Sequence, residues 1–142
     1  MPKMIFVNLP VADVEHAAGF YVALGAQRDP RFSQAGTVAA MVFSDAIVVM
    51  LLSHAQFANF APRAIADARA ANEVLVCLSE ESRAAVDASV ERAVAAGGRA
   101  DLRPPQEMGT FMYGRNIEDP DGHVVEVIWM DPEAMTRGQA PA

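Results

Sequence analysis

The sequence predicts an α+β fold built from two βαβββ modules, on three observations. Short runs rich in β-branched and aromatic residues recur along the chain, as half-buried strands require. Each set of runs is divided by one stretch with apolar residues at helical spacing. Equivalent elements also return at a spacing near seventy: Phe6 to Glu73 is 67 positions, and the helix-ending Gly25 and Gly97 are 72 apart. Solenoid units are shorter, so this period indicates two fused copies of one module rather than an array.

In the first module, about residues 3–53, Ile5-Phe6-Val7-Asn8-Leu9 is a short apolar strand. Asp13 then caps a helix whose positions Ala17, Phe20, Tyr21 and Leu24 form one face, and Gly25 ends it. Strands follow at Gln27 to Phe32, Thr37 to Phe43 and Ala46 to Leu52, the last two joined by a turn at Ser44-Asp45. A connecting segment at about 54–71 carries Phe57, Phe60 and Ile65 at the spacing of a short amphipathic helix.

The second module, about 72–131, repeats the plan. Glu73 to Leu78 reads as a strand, and Ser79 with Glu80 and Glu81 opens a helix with Val86, Val90, Ala93 and Val94 on one face. Gly97-Gly98 closes it. A short strand is expected at Arg99 to Leu102, another at Phe111 to Ile117, and a last one reaching Met130. Residues 1–132 thus form one domain, and 133–142 a flexible tail.

Composition sets outer bounds. A chain of 142 residues buries a real core without staples, and its 52% apolar and 20% charged residues suit a soluble globule. The net charge of −7, without a Lys/Arg cluster, argues against nucleic acid and anionic membranes and mildly favours a cationic or neutral ligand. The single cysteine, Cys77, excludes an intrachain disulfide and fits a reducing cytoplasm. Met1 to Val11 lacks a basic region followed by a long apolar core, so no signal peptide is expected. The longest apolar run, Ala46 to Leu52, is too short to span a bilayer.

The densest chemical signal is Asp119-Pro120-Asp121-Gly122-His123-Val124-Val125-Glu126-Val127-Ile128-Trp129. Pro at the second position and Gly at the fourth suit a type I turn, and a strand follows. A carboxylate among apolar strand residues is costly unless it meets a metal, a proton or a ligand. Glu126 is that carboxylate.

The stretch Val11-Ala12-Asp13…Phe20-Tyr21…Leu24-Gly25, the Gly97-Gly98 helix end and Glu118-Asp119-Pro120-Asp121-Gly122-His123…Glu126 together resemble the vicinal oxygen chelate superfamily. That superfamily includes glyoxalase I, extradiol dioxygenases, fosfomycin-resistance transferases, methylmalonyl-CoA epimerases and bleomycin-binding proteins. The resemblance covers roughly residues 4–131. It implies curved mixed sheets around a cup-shaped pocket, usually in a homodimer. It also implies, for enzymatic members, a divalent metal held from the first and last strands of each module. Those positions fall here on Phe6, Met50, Glu73 and Glu126. Only Glu126 keeps the usual ligand type, and Glu73 stands where histidine is commonest. Phe6 and Met50 bring no nitrogen or oxygen. Glu73 and Glu126 are thus weak metal candidates, able at best to hold a hard cation with several waters attached. Asn8, on the strand face of Phe6, adds a carbonyl oxygen.

Two readings of these residues stay open. In the first, Glu126 and Glu73 face one cavity, one of them takes a raised pKa, and the pair moves a proton in a lyase-, isomerase- or dioxygenase-type enzyme with a degenerate metal site. Alternatively one or both carboxylates simply pair with an arginine such as Arg115. In the second reading the protein sequesters a small apolar or cationic compound without catalysis, as drug-resistance relatives do. Asn8, Phe6, Met50, Cys77, Phe60, Tyr113 and Arg115 are the candidate ligand contacts. Phe57 and Phe60 form a lid or pack on a partner, and Tyr113 with Arg115 either reaches the ligand or caps the sheet. A third reading leaves the cavity filled by its own side chains. His16, His54 and His123 suit helix-start, solvent and turn roles respectively.

Overall fold

The computed structural model describes residues 2–136 and divides them into two compact units, each built on one mixed sheet. The α+β class and the two modules are present.

The first unit comprises residues up to Ala71 together with Pro120–Gly122. Its strands are β1 (Ile5–Val11), β2 (Gln27–Arg28), β3 (Val38–Ser44) and β4 (Ile47–Ser53), in the order β1-β4-β3-β2. β1 runs parallel to β4, and the remaining pairs are antiparallel. Helix α1 (Val14–Ala23) begins where the Asp13 side chain accepts the His16 N–H, and Gly25 ends it at φ 110°. α1 buries Phe20 and Tyr21, whose rings meet edge to face at 5.0 Å. Val49, Leu51, Met41 and Ala39 are buried on one side of the sheet. By strand alternation the other side carries Phe6, Val48 and Val42 on one rung and Asn8, Met50 and Ala40 on the next.

The strand expected over Gln27–Phe32 is cut to Gln27–Arg28. After Asp29 donates its N–H to the Ala40 carbonyl, Pro30 has no N–H to continue the ladder. A single 3₁₀ turn at Pro30–Phe32 replaces it, with Asp29 as its cap. Helix α2 (His54–Phe60) follows β4 directly, capped by Ser53, and stops before Ile65.

The second unit holds β5 (Val76–Ser79), β6 (Arg99–Ala100), β7 (Gln106–Met108), β8 (Met112–Glu118) and β9 (Val124–Met130). β5-β9-β8-β6 are neighbours in that order, and β7 pairs with β8. Helix α3 (Arg83–Ala95) buries Val86, Ser89, Val90 and Ala93, whereas Val94 is exposed. Its cap is Ser82, not Ser79, because Ser79 still pairs with Ile128 in the sheet. β7 was not expected, since Gln106-Glu107-Met108 is polar and lacks a strand pattern. Of the expected tail, Pro132–Thr136 is a short helix (α4), and residues 137–142 lie outside the described residues.

Candidate functional site

In the second unit, Cys77, Glu126 and Asn116 occupy one rung across β5, β9 and β8. They line a cavity of only about 30 Å³, with Gln106, Gly114, Arg115 and Ile128. That is room for one water-sized group. The Glu126 carboxylate is half-buried and makes no hydrogen bond or ion pair with any described residue. Asn116 is already committed, accepting from the N–H groups of Leu102 (2.8 Å) and Arg103 (3.3 Å) and donating to the Arg103 carbonyl. Cys77 is exposed as a residue, yet loss of water around its sulfur, and then the Glu126 charge, push the thiol up from its ordinary value. The thiol therefore stays protonated at neutral pH, which makes it a poor nucleophile.

Glu73 does not join this group. The β5–β9 register begins at Val76↔Val125, so Glu73 would need a partner at Gly122, inside the turn that precedes β9. The strand therefore starts three residues later than expected, leaving Glu73 and Leu75 exposed on its approach. The paired-carboxylate geometry is absent from the described residues.

Tyr113 and Arg115 take the sheet-capping orientation, toward α3. The Tyr113 hydroxyl donates to Asp87 Oδ1 at 2.7 Å, and Arg115 Nη1 donates to the same oxygen at 3.0 Å. Arg115 also forks onto Asp101, with Nε–Oδ1 at 3.1 Å and Nη2–Oδ2 at 2.7 Å. The Asp101 contact raises the Arg115 pKa above its ordinary value, and burial followed by Asp87 raises that of Tyr113. Arg115 thus neutralises Asp101 and Asp87, not Glu126 or Glu73, and neither it nor Tyr113 presents its polar head as a free ligand contact. At the backbone, the His16 N–H donates to the Asp13 cap and the His123 N–H donates to Asp119 Oδ1 across the turn.

A much larger cavity lies in the first unit, on the sheet side opposite the buried Val49 and Leu51. It has a volume of about 420 Å³, and its walls are mainly Met4, Phe6, Phe32, Val42, Val48 and Met50. Phe6 and Met50, the two positions where metal ligands had turned apolar, belong to this wall. Phe6 is 53% exposed and Phe32 62%, unusual for large rings unless something covers them. At the rim Asp29 accepts from Arg31 Nε (3.1 Å) and Nη2 (2.8 Å), and the Arg31 guanidinium stands 5.4 Å from the Phe32 ring centre. Asp45, also on the rim, has no partner among the described residues. Phe32 and Met4 were missed by strand parity, since one sits in the 3₁₀ turn and the other precedes β1. The Asp29-Pro30 pair was the available signal that the strand ends there and the chain folds back.

The metal implied by the family resemblance does not fit these residues. Phe6 has no donor atom and Met50 only a soft thioether sulfur, Glu73 is off the sheet, and no three of His, Cys, Asp and Glu come together among the described residues. Within those residues, no helix is long and apolar enough to cross a membrane.

Among solved structures, the chain is similar to a hypothetical protein from S. aureus, at 26% identity and TM-score 0.73 over 91% of this chain and 94% of that one. A glyoxalase/bleomycin resistance protein/dioxygenase family enzyme from Burkholderia phytofirmans matches at 19% identity and TM-score 0.71, covering 91% and 99%. A lactoylglutathione lyase from Agrobacterium tumefaciens matches at 21% identity and TM-score 0.65, covering 91% and 95%. The last two likenesses show the fold alone. No curated protein matches the chain. The family model for the Glyoxalase/Bleomycin resistance protein/Dioxygenase superfamily matches residues 3–127. That match takes in most of both modules, and the chain belongs to the glyoxalase/bleomycin resistance protein/dioxygenase superfamily.

Proposed function

We propose that this protein binds a small, largely apolar molecule in the cavity of its first module, without a metal ion and without chemistry at Glu126. The observation that carries this reading is the contrast in room: about 420 Å³ around Phe6, Phe32 and Met50, against about 30 Å³ beside Glu126. Small-molecule sites occupy about 300–1,000 Å³ and are lined mostly by apolar and aromatic groups. Charge at the rim supports a neutral or cationic ligand over an anionic one, since Asp29 and Arg31 satisfy each other and Asp45 has no partner among the described residues. Of the two open readings, sequestration is therefore favoured over proton transfer by the carboxylates. A homodimer, the usual state of such proteins, and a cytoplasmic location, suggested by the single Cys77, complete the proposal.

The test is a fluorescence titration with naphthalene, a neutral probe with no polar atom. One saturable site per chain is expected, insensitive to EDTA, unchanged in Glu126→Gln and lost in Val42→Trp, which fills the cavity from β3. Binding that survives Val42→Trp but is lost in Glu126→Gln, or no saturable binding at all, would sink the proposal.

A further inference from the structure

On the open side of the first sheet, the cavity at Phe6 has a neighbour. A second chamber of about 510 Å³ is lined by Asn8, Leu52, Phe57, Phe60 and Ala61. Met50 lines the first chamber and Asn8 the second, and the two are register partners in the β1–β4 ladder. The chambers therefore meet across one rung, whose strands lie about 4.8 Å apart. Three open phenylalanine rings are shared between them: Phe6 and Phe32 in the first, and Phe60, 72% exposed, in the second.

Asn8 is the polar side chain at this junction, and it makes no hydrogen bond to any described residue. Its amide offers two donors and one acceptor oxygen. Between apolar chambers such a group favours a ligand that brings a matching polar atom to the same point. It penalises a ligand that covers it with hydrocarbon alone.

We infer that the ligand is one elongate molecule spanning both chambers, with a bulky apolar group, aromatic or similar, at each end and one uncharged hydrogen-bonding group between them held by Asn8. The inference rests on the proposed binding role of the first chamber and names the class of molecule that enters it. The Asp45 carboxylate at the far rim, without a partner among the described residues, complements a neutral or basic ligand and opposes an acidic one.

The probe is N-phenyl-1-naphthylamine, in which two aromatic groups flank a single N–H. Fluorescence titration should give one molecule per chain. Val42→Trp, filling the first chamber, and Ala61→Trp, filling the second, should each weaken binding at least tenfold. Asn8→Leu keeps shape and removes the polar group from an exposed position, so folding is spared. It should weaken the amine probe roughly three- to tenfold and leave naphthalene unaffected. Two independent probe molecules per chain, or full affinity in Ala61→Trp or Asn8→Leu, would overturn the inference. If naphthalene still binds in a Val42-dependent manner in that case, only the spanning ligand is lost and the first-chamber role stands. If naphthalene does not bind either, the underlying reading falls with it. Sedimentation provides the remaining check: a chain dimer that the probe dissociates, and that Val42→Trp and Ala61→Trp both weaken, assigns the trough to a second copy and overturns the proposal.

Discussion

Arg115 holds Asp101 through two parallel hydrogen bonds, Nε to Oδ1 and Nη2 to Oδ2, and Asp101 sits at φ 56°, in the left-handed region. A non-glycine residue there is strained unless its surroundings fix it. The fixing contacts are the fork itself and the bond from the Asp101 N–H to the Asn116 carbonyl at 2.9 Å. Asp101→Ala removes the fork and keeps the strain, and should lower stability by about 1–3 kcal/mol. Asp101→Gly also removes the fork but relieves the backbone, so its loss should be smaller. Urea midpoints of the two variants measure this. Equal losses would mean that the backbone at 101 carries no strain.

A second close approach fixes the turn before β9. Gly122 has φ 95°, and a Cβ built there would lie 2.5 Å from Arg69 Cγ and 3.2 Å from the Arg69 amide nitrogen. Nearby, Asp121 Oδ1 accepts the Ala12 N–H at 2.8 Å. Gly122→Ala therefore meets both a strained φ and a clash, and should cost about 1–3 kcal/mol. Adding Arg69→Ala removes the Cγ contact but not the φ penalty. The double variant should recover only part of the loss in thermal denaturation, and full recovery would place the whole effect on the side chain.

Glu15 gives a pH-dependent contribution whose direction follows from its partners. Arg28 donates to both its oxygens, at 2.6 and 3.0 Å, and the Gly36 N–H adds a third bond at 3.2 Å. The Arg28 hydrogen bonds foremost, then that from Gly36, lower the Glu15 pKa from 4.5 to about 2. Because the folded value lies below the unfolded one, the contribution is complete above about pH 4.5 and is lost as pH falls through about 2. The stability difference between the native chain and Glu15→Gln should be flat above that window and shrink within it. High salt should reduce it, since the carboxylate is exposed. Urea midpoints taken from pH 6 to 2 check this, and a difference that grows on acidification would refute it.

How much of this was legible beforehand depends on which interactions decide each element. Alternation in β1 and β4 placed Phe6, Asn8, Met50 and Leu52 on one face, and the register puts them there, because local pattern and burial agree. Asp13 and Gly25 announced both ends of α1 through their own backbone chemistry. Glu73 was misplaced because Val74 and Leu75 look like strand. Strand length there is set by β9, and the partner positions they would need fall in a turn. β7 was invisible for the converse reason: its residues have no strand pattern and are recruited by the free edge of β8. The orientation of Tyr113 and Arg115 hung on Asp87, one turn into a helix 26 and 28 residues away, which no local pattern reveals. The second chamber depends on where α2 stops, a tertiary matter that the spacing of Phe57, Phe60 and Ile65 did not settle.

Cys77 reports on Glu126 without any ligand being known. The two are register partners on β5 and β9, and the carboxylate raises the thiol pKa beyond what desolvation alone achieves. Iodoacetamide alkylation, read by mass, is unambiguous because the chain has one cysteine. Its rate should rise with pH to a midpoint above that of a free thiol. Glu126→Gln removes the charge and leaves most of the desolvation, so the midpoint should move down without reaching the free-thiol value. At neutral pH the variant should accordingly react faster than the native chain. An unmoved midpoint would mean that the Glu126 charge is screened from Cys77 by solvent. The half-buried carboxylate would then have to be reassigned as a surface group.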